Sequence, residues 1–272
     1  MMELLESHEF PDHATALRNL IPVRRLGVTI AIDDLGIEFS TLKRVQRLPV
    51  DCLKIDRVFL SEVMENPNDL SFLAAYITMA ASLGVTLCIE GVETADMLDA
   101  LRILGAPLAQ GFGIARPMEI DALSSSIGSR AIRPIKGPPR TLLGAYALHI
   151  RWVRVLLFAP HERALWHYLG RASKLSLVMF LRRAGLEQTD LGRAYAALML
   201  LTDETALDIL AVTTASDLVR QLLREAVVSQ RLARTAVGDK TACPFPRLRG
   251  WPYAARGRAL PALGGPVLSA GG

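Results

Sequence analysis

Residues 50–90 read VDCLKIDRVFLSEVMENPNDLSFLAAYITMAASLGVTLCIE and contain two short, largely apolar runs separated by a longer amphipathic segment. The runs at residues 50–55 and 85–89 are typical of strands that are buried on both faces of a parallel sheet. Apolar residues recur at helical spacing over residues 71–83, and Gly84 follows as a helix stop. We therefore expect a strand–helix–strand unit with parallel strands.

The same alternation continues on both sides of this unit. A β-branched run at residues 28–32 ends at Asp33, and a helical pattern at residues 95–104 ends at Gly105. Strands that alternate with helices in this way predict an α/β fold, in which helices cover a parallel sheet. We assign residues 1–128 to this unit.

A different organisation is predicted for the second half of the chain. Residues 129–141 contain three prolines and a glycine, which indicates a linker. Residues 142–236 carry four amphipathic helical patterns without a strand signal, which predicts a small all-helical domain. The four patterns cover residues 142–157, 162–184, 191–201 and 215–232. Residues 237–272 are rich in Gly, Pro, Ala and Arg without periodicity and predict a disordered tail.

The composition, with 51% hydrophobic and 21% charged residues, is that of a globular protein with a sizeable core. The chain has no run of about 18 apolar residues free of charge, so we expect no membrane span. Acidic residues occupy the N-terminal positions where a secretion signal needs basic ones, and we therefore expect a cytoplasmic protein. Three scattered cysteines, Cys52, Cys88 and Cys243, predict neither a disulfide framework nor a zinc site, and the first two are expected to be buried.

The basic charge of the chain is concentrated at its C-terminal end. The whole chain carries +4, but from Ser229 onward it holds seven basic residues and one acid, Asp239, so the preceding part is net negative. Such a composition suits weak contact with nucleic acid. A solvated tail without a function is the preferred interpretation, and no nucleic-acid partner is expected.

Polar residues follow the predicted strands at the points where each strand ends. They are Glu3, Glu6, Asp33, Asp34, Lys54, Glu90 and Gln110. Each of them alone is ordinary, because an Asp after a strand is usually a helix N-cap and a Lys is usually a solvated surface residue. At the carboxyl ends of successive parallel strands, however, they converge on one rim, where barrel enzymes build their active sites.

Several carboxylates on one rim need cations to offset their mutual repulsion. Oxygen ligands select hard metals, Mg²⁺ or Mn²⁺. Two such ions can hold a phosphodiester and generate hydroxide near neutral pH, and a neighbouring lysine can orient that water or offset the developing charge. These residues therefore predict metal-dependent hydrolysis of a phosphodiester.

Five motifs, in order along about 115 residues, resemble those of EAL domains, the family of cyclic di-GMP phosphodiesterases. ELLES at residues 3–7 resembles the family's ELTES segment, and DDLG at residues 33–36 resembles its DDFG loop. LPVDCLKIDRVF at residues 48–59 is similar to the family's LPVDxLKIDRxF. EGVET at residues 90–94 matches the family motif, and QGF with RP at residues 110–117 resembles QGYxxxRP.

The resemblance implies a partial (β/α)8 barrel of the TIM type, with about five strands in this chain, followed by the small all-helical region. It implies hydrolysis of cyclic di-GMP to pGpG with two Mg²⁺ or Mn²⁺ ions. The metal-binding positions that it assigns are Glu3, Asp33, Asp34 and Glu90. The catalytic positions are Lys54, which helps to position the attacking water, Glu90, and Gln110, which closes the site. The supporting positions are Glu6, which braces the DDFG loop, Asp56 and Glu93.

Two departures from the family pattern predict that hydrolysis is lost or impaired. The family's EAL strand and the strand after it, each with a metal ligand, have no counterpart here, so we expect an N-terminally truncated barrel. Such a barrel needs cover from its own helical part, from a second copy in a homodimer, or from a complementing chain. Ile37 and Glu38 replace a threonine and a glycine in the DDFG loop, where a glutamate introduces strain and negative charge.

Three functions stay open from the sequence. The chain is a phosphodiesterase completed by another chain, a non-catalytic module that binds a protein partner or cyclic di-GMP, or an inactive gene remnant. The helical region adds no chemistry of its own. Its histidines, His149, His161 and His167, lack the spacing of a metal site, and we expect them to be partly exposed helix residues.

Overall fold

The computed structural model describes residues 1–5, 13–35, 48–123, 137–158, 176–203 and 209–237. Its sheet contains five parallel strands that lie side by side in chain order. They are β1 (Met2–Leu5), β2 (Ile30–Leu35), β3 (Cys52–Ile55), β4 (Thr86–Ile89) and β5 (Leu108–Ala109). The predicted α/β class with a five-stranded partial barrel is confirmed.

The strands differ in length from the sequence prediction mainly at β2. The apolar run at residues 28–32 predicted a strand that ends at Asp33 and Asp34, but β2 begins at Ile30 and continues to Leu35. The extension follows from pairing on both sides, because Asp33 lies opposite Leu5 of β1 and Leu35 lies opposite Ile55 of β3. The register is irregular between Ile32 and Leu35, so β2 is bent where the predicted site begins.

Helices follow the strands and have recognisable ends. They are α1 (His13–Arg25), α2 (Arg57–Glu65), α3 (Leu70–Leu83) and α4 (Ala95–Leu104), with a 3-10 turn at Pro67–Asp69. Gly84 and Gly105 end α3 and α4 with positive φ angles of 69° and 83°, as the sequence predicted. The Thr94 side chain begins α4 by accepting a hydrogen bond from the Met97 amide.

Asp51 closes the end of the sheet that lies opposite the carboxyl ends of the strands. Its Oδ2 accepts a hydrogen bond from the Ile30 amide at 3.0 Å, and its Oδ1 accepts two from the Arg24 guanidinium at 3.0 and 2.7 Å. One carboxylate therefore joins α1 to the starts of β2 and β3. Contacts at this end of a barrel serve stability.

The second half of the described chain is helical. Its helices are α5 (Leu142–Phe158), α6 (Asp190–Asp203) and α7 (Ile209–Val237), and residues 176–184 are also helical. The predictions for residues 142–157 and 191–201 are confirmed, and that for residues 162–184 is confirmed where the structure describes it. The fourth helix is longer than predicted, because Ile209–Val237 contains no glycine or proline to stop it.

The helical region and the sheet share one hydrophobic core. Leu101 of α4 and Leu143 of α5 are both fully buried in it. Polar contacts accompany this packing: the Tyr146 hydroxyl donates to Asn68 Oδ1 at 2.6 Å, and Arg151 donates to the Ile103 carbonyl at 3.0 Å. The division into domains at residues 128, 141 and 236 stays a prediction. No helix in the described part of the chain is long and apolar enough to cross a membrane.

Asp99 joins the two regions through what we call the Asp99 cluster, formed by Asp99, Arg102, Arg140 and Thr141. Oδ2 of Asp99 accepts hydrogen bonds from the amides of Arg140 and Thr141, at 2.7 and 3.0 Å, and from the Thr141 hydroxyl at 3.2 Å. Its Oδ1 pairs with the Arg102 guanidinium at 2.6 Å. The start of α5 is thereby fixed on the outer side of α4.

Candidate functional site

Lys54 lies at the centre of a group of carboxylates at the carboxyl ends of the strands. Its Nζ is 2.9 Å from Glu3 Oε1, 3.3 Å from Asp33 Oδ1 and 2.6 Å from Glu90 Oε1. These four residues are called the Lys54 cluster below. They meet because side chains alternate along each strand and the parallel register aligns the strand ends on one rim.

The ammonium of Lys54 is buried, with 5% of the residue exposed. Burial alone lowers the pKa of a lysine, but the hydrogen bonds to Glu90 and Glu3 and the charges of Glu90 and Asp33 outweigh it. The net effect raises the pKa of Lys54 above its ordinary value. Lys54 therefore stays protonated at neutral pH and acts as a hydrogen-bond donor and a positive charge, not as a base.

Gln110 fixes the position of Glu90. Its side-chain amide donates to Glu90 Oε1 at 2.7 Å, and its backbone amide donates to the Ile89 carbonyl at 2.9 Å. The Glu90 amide in turn donates to the Ile55 carbonyl at 3.0 Å. Glu90 is thus held by Ile55 and Lys54 of β3 and by Gln110, which directly follows β5.

Two glycines allow the loops around Glu90 to pack closely. Gly91 has a φ of 72°, and a Cβ at this position would lie 2.3 Å from Arg57 Cβ. Gly111 has a φ of 155°, and a Cβ there would lie 2.3 Å from the Val92 amide nitrogen. Only glycine fits such contacts without displacing the backbone. Neither glycine was predicted to belong to the site, although each directly follows a predicted site residue.

The remaining predicted site residues are placed as follows. The backbone of Asp34 lies in β2, and its side chain is outside the described residues. Glu6, Ile37 and Glu38 are also outside them. Asp56 begins α2, with its Oδ1 accepting a hydrogen bond from the Val58 amide at 2.6 Å, and Glu93 is exposed on the loop after β4. Asp56 and Glu93 do not belong to the ion pairs of the Lys54 cluster that the structure describes.

A layer of small side chains lies below the cluster on the same face of the sheet. Ala31, Cys52 and Cys88 form a buried group, each two residues before Asp33, Lys54 or Glu90. Burial raises the pKa of both thiols, that of Cys88 to about 11, so they are neutral at physiological pH. The prediction of small buried cysteines is confirmed for these two.

The donors of the Lys54 cluster suit a hard divalent cation in their chemistry. Three carboxylates face one ammonium, which leaves net negative charge and only oxygen ligands. Within the described residues, no three His, Cys, Asp or Glu side chains are arranged to hold a metal ion on their own. The carboxylates converge on the Lys54 ammonium, so metal binding requires them to turn toward a second positive charge.

Comparison with known proteins identifies the first part of the chain. The family model of the EAL domain matches residues 1–117. The cyclic di-GMP phosphodiesterase RocR of Pseudomonas aeruginosa is 34% identical over 118 residues, which cover 43% of the present chain and 30% of RocR. The cyclic di-GMP phosphodiesterase NbdA of the same organism is 38% identical over 117 residues, which cover 43% of the present chain and 15% of NbdA.

Solved structures of EAL proteins also resemble the chain, over slightly less than half of its length. The crystal structure of the EAL domain of Mycobacterium smegmatis DcpA has 37% sequence identity and a TM-score of 0.44, over 47% of the present chain and 57% of that chain. The phosphodiesterase PaMucR in complex with c-di-GMP has 36% identity and a TM-score of 0.41, over 44% and 49%. The present chain spans less than a third of the length of RocR or NbdA.

Proposed function

Residues 1–117 of this chain belong to the EAL domain family, and on this basis we propose that the Lys54 cluster is a site for divalent metal ions and cyclic di-GMP. The proposed reaction is hydrolysis of one phosphodiester bond to give pGpG. The EAL phosphodiesterases are a family that depends on divalent metal ions. The residues that would hold the metal are Glu3, Asp33 and Glu90, with Asp34 as a further ligand.

One observation carries the proposal. Three carboxylates from β1, β2 and the end of β4 lie within 3.3 Å of one buried ammonium on β3. Three carboxylates that converge on one point repel one another, and one ammonium does not offset all of their charge. A hard divalent cation would supply the missing positive charge, and the carboxylate oxygens present are the ligands that such a cation prefers.

The residues of the cluster would divide the chemistry between them. A divalent cation at this rim lowers the pKa of bound water and polarises the phosphodiester. Lys54 is permanently protonated, so it donates to the attacking water or to a phosphate oxygen and offsets the charge that develops there. Gln110 holds Glu90 by a 2.7 Å hydrogen bond, so that Glu90 presents its second oxygen in one orientation.

A second candidate function is binding of cyclic di-GMP without hydrolysis. The observation that favours it is the closure of the cluster on Lys54, because the carboxylates are already paired with an ammonium. If these ion pairs persist when nucleotide binds, Lys54 contacts the phosphate while no metal-bound water is generated. A homodimer or a complementing chain stays a prediction for both functions.

The test is a direct assay of the purified chain. It is incubated with cyclic di-GMP and Mn²⁺, and pGpG is followed by chromatography. The matched pair of variants is Glu90→Gln, which removes one carboxylate of the cluster, and Glu119→Gln, which makes the same change at an exposed position. We expect Glu90→Gln to lower pGpG formation by about 100-fold or more, and Glu119→Gln to change it less than about twofold.

The outcomes separate the two functions. Turnover that depends on Glu90 supports hydrolysis. Binding of cyclic di-GMP in a calorimeter, without pGpG, supports the second candidate. Neither binding nor turnover, in a chain that is folded by circular dichroism, contradicts both proposals.

A further inference from the structure

Helix α7 extends beyond the helical part of the core and ends against the two helices that follow β3 and β4. The structure describes the side chains of α7 as far as Arg234. Within this range, the last buried residue is Val227. After Val227 two ion pairs attach it, one from Arg231 to Glu65 at the end of α2 and one from Arg234 to Asp96 in the first turn of α4. The last turns of α7 therefore connect the helix that follows the strand of Lys54 with the helix that follows Glu90.

The two ion pairs are unequal. Glu65 is 72% exposed and 3.4 Å from Arg231, so solvent screens this pair and it contributes little. The Asp96 carboxylate is buried, with 10% of its side chain exposed, and it pairs closely with the Arg234 guanidinium. Removal of Arg234 would leave the charge of Asp96 poorly compensated in a buried position. The Arg234–Asp96 pair is therefore the effective attachment of α7 to α4.

Asp96 is connected to Glu90 through a short and stiff segment. Only five residues lie between the two positions, and the Thr94 side chain begins α4 by accepting a hydrogen bond from the Met97 amide. Within this segment, Gly91 packs directly on the Arg57 backbone, and the Val92 amide donates to the Gln110 carbonyl at 3.0 Å. A shift of the first turn of α4 is therefore transmitted to Glu90 instead of being absorbed by a loose loop.

We propose that Arg234 is a positioning residue for Glu90, because it holds the first turn of α4 through Asp96. The helical region would thus hold one wall of the Lys54 cluster in place. This role rests on the proposed function of that cluster. Through Arg234, α7 would contribute to ligand affinity although it lies far from Glu90 along the chain.

A double-mutant cycle with neutral, similarly sized side chains tests the pair. The variants are Arg234→Gln, Asp96→Asn and the double variant, and Arg220→Gln on the same helix is the matched control, because Arg220 pairs with the exposed Asp217. Affinity for cyclic di-GMP with Mn²⁺ is measured by calorimetry well below the unfolding temperature. We expect each single variant to weaken binding about fivefold, and the double variant to be no weaker than either single one.

Hydrogen exchange of the backbone amides of residues 91–98 provides a second measurement that needs no ligand. We expect exchange about tenfold faster in Arg234→Gln than in the wild type, with Arg234→Lys intermediate and Arg220→Gln unchanged. Unchanged exchange at residues 91–98 in Arg234→Gln overturns the proposal, even if the melting temperature falls. A wild-type chain that binds neither Mn²⁺ nor cyclic di-GMP contradicts the proposed function. Hydrogen exchange then tests separately whether Arg234 holds the first turn of α4.

Discussion

The Lys54 cluster and the Asp99 cluster each surround one buried charged residue, but their charges are compensated in opposite ways. Asp99 is one carboxylate that receives two backbone amides, a hydroxyl and a guanidinium. Lys54 is one ammonium that faces three carboxylates. The first group is balanced by the protein itself, whereas the second carries an excess of negative charge.

This difference separates a structural group from a candidate functional one. A buried charge with all its hydrogen bonds satisfied inside the protein fixes one conformation and has no need of a ligand. A buried group with uncompensated charge lowers stability unless something binds to it. We therefore expect metal ions to stabilise the protein through the Lys54 cluster and to leave the Asp99 cluster unaffected.

The largest effect is expected from Lys54→Met, which removes the ammonium and leaves three carboxylates facing each other. We expect this change to lower the free energy of unfolding by about 3–5 kcal/mol without metal, as for other buried ion pairs that lose one partner. Millimolar Mn²⁺ should restore part of the loss, because the cation then replaces the ammonium as the counter-charge. The measurement is urea unfolding with and without Mn²⁺.

The control for this prediction is Arg24→Met, which breaks the ion pair with Asp51 at the opposite end of the sheet. This variant should lose stability without any recovery in Mn²⁺. Equal responses of Lys54→Met and Arg24→Met to the cation would show that the Lys54 cluster has no special affinity for it.

The second prediction concerns the balanced group. Asp99→Ala removes the acceptor of the buried Thr141 amide and hydroxyl and of the partly buried Arg140 amide, and it leaves the Arg102 guanidinium with the backbone carbonyls that it also contacts. We expect a loss of about 3 kcal/mol, because each unsatisfied buried donor costs about 1 kcal/mol or more. Mn²⁺ should not change this loss. Urea unfolding in the same two buffers measures it, and a loss below about 0.5 kcal/mol would refute the structural importance of the cluster.

These two groups also differ in how far the sequence predicted them. Most of the Lys54 cluster was predictable, because Asp33, Lys54 and Glu90 stand at the ends of runs with a clear apolar pattern and parallel strand ends must share a rim. Glu3 has no such run before it and lies within β1, opposite Ala31. The Asp99 cluster was not predictable. Asp99 and Thr141 are 42 residues apart, and no periodicity specifies which surface of a helix another helix will cover.

The helical region shows the same limit. Its helices were located from their apolar spacing, yet their packing on α4 was not, so the sequence suggested a separate domain. The expectation of a partly exposed His149 was wrong, because α7 packs against α5 at this residue and leaves 1% of it exposed. Side-chain contacts between distant elements depend on the docked geometry, and this information is not present in local patterns.

The third prediction compares two glycines with similar backbone angles. Gly91, beside the Lys54 cluster, has a φ of 72° and would place a Cβ 2.3 Å from Arg57 Cβ, whereas Gly84 has a φ of 69° and open space around it. Gly84→Ala should therefore cost only the left-handed conformation, about 1 kcal/mol. Gly91→Ala should cost about 2–3 kcal/mol, because steric overlap is added. Thermal unfolding of both variants measures the difference, and equal losses would contradict the close contact.

The smallest effect is expected from a buried group that carries no charge. His149 in α5 lies against α7, where Nε2 is 3.0 Å from the Ser216 carbonyl, and its ring stacks on Trp152. Because a carbonyl only accepts, Nε2 carries the proton of the neutral ring. Burial lowers the pKa of His149 to about 4, with Arg220 lowering it further and the Ser216 carbonyl and Asp217 opposing the shift.

The sign of the pH dependence follows from this shift. The unfolded chain, with an ordinary histidine pKa of about 6.5, binds a proton more readily than the folded protein. Stability from the neutral ring is therefore complete above pH 6.5 and is lost as the pH falls toward about 4. At pH 5 the loss amounts to about 2 kcal/mol, at about 1.4 kcal/mol per pKa unit.

The variant His149→Gln isolates this contribution from the carboxylates that titrate in the same range. The glutamine keeps a donor for the Ser216 carbonyl but cannot be protonated, so the carboxylates affect both proteins alike. Urea unfolding at pH 7 and pH 5 should show a decrease in stability that is about 2 kcal/mol smaller in the variant than in the wild type. Equal decreases would mean that α5 and α7 separate enough to hydrate the ring, and the tight packing of α5 against α7 would then be wrong at this position.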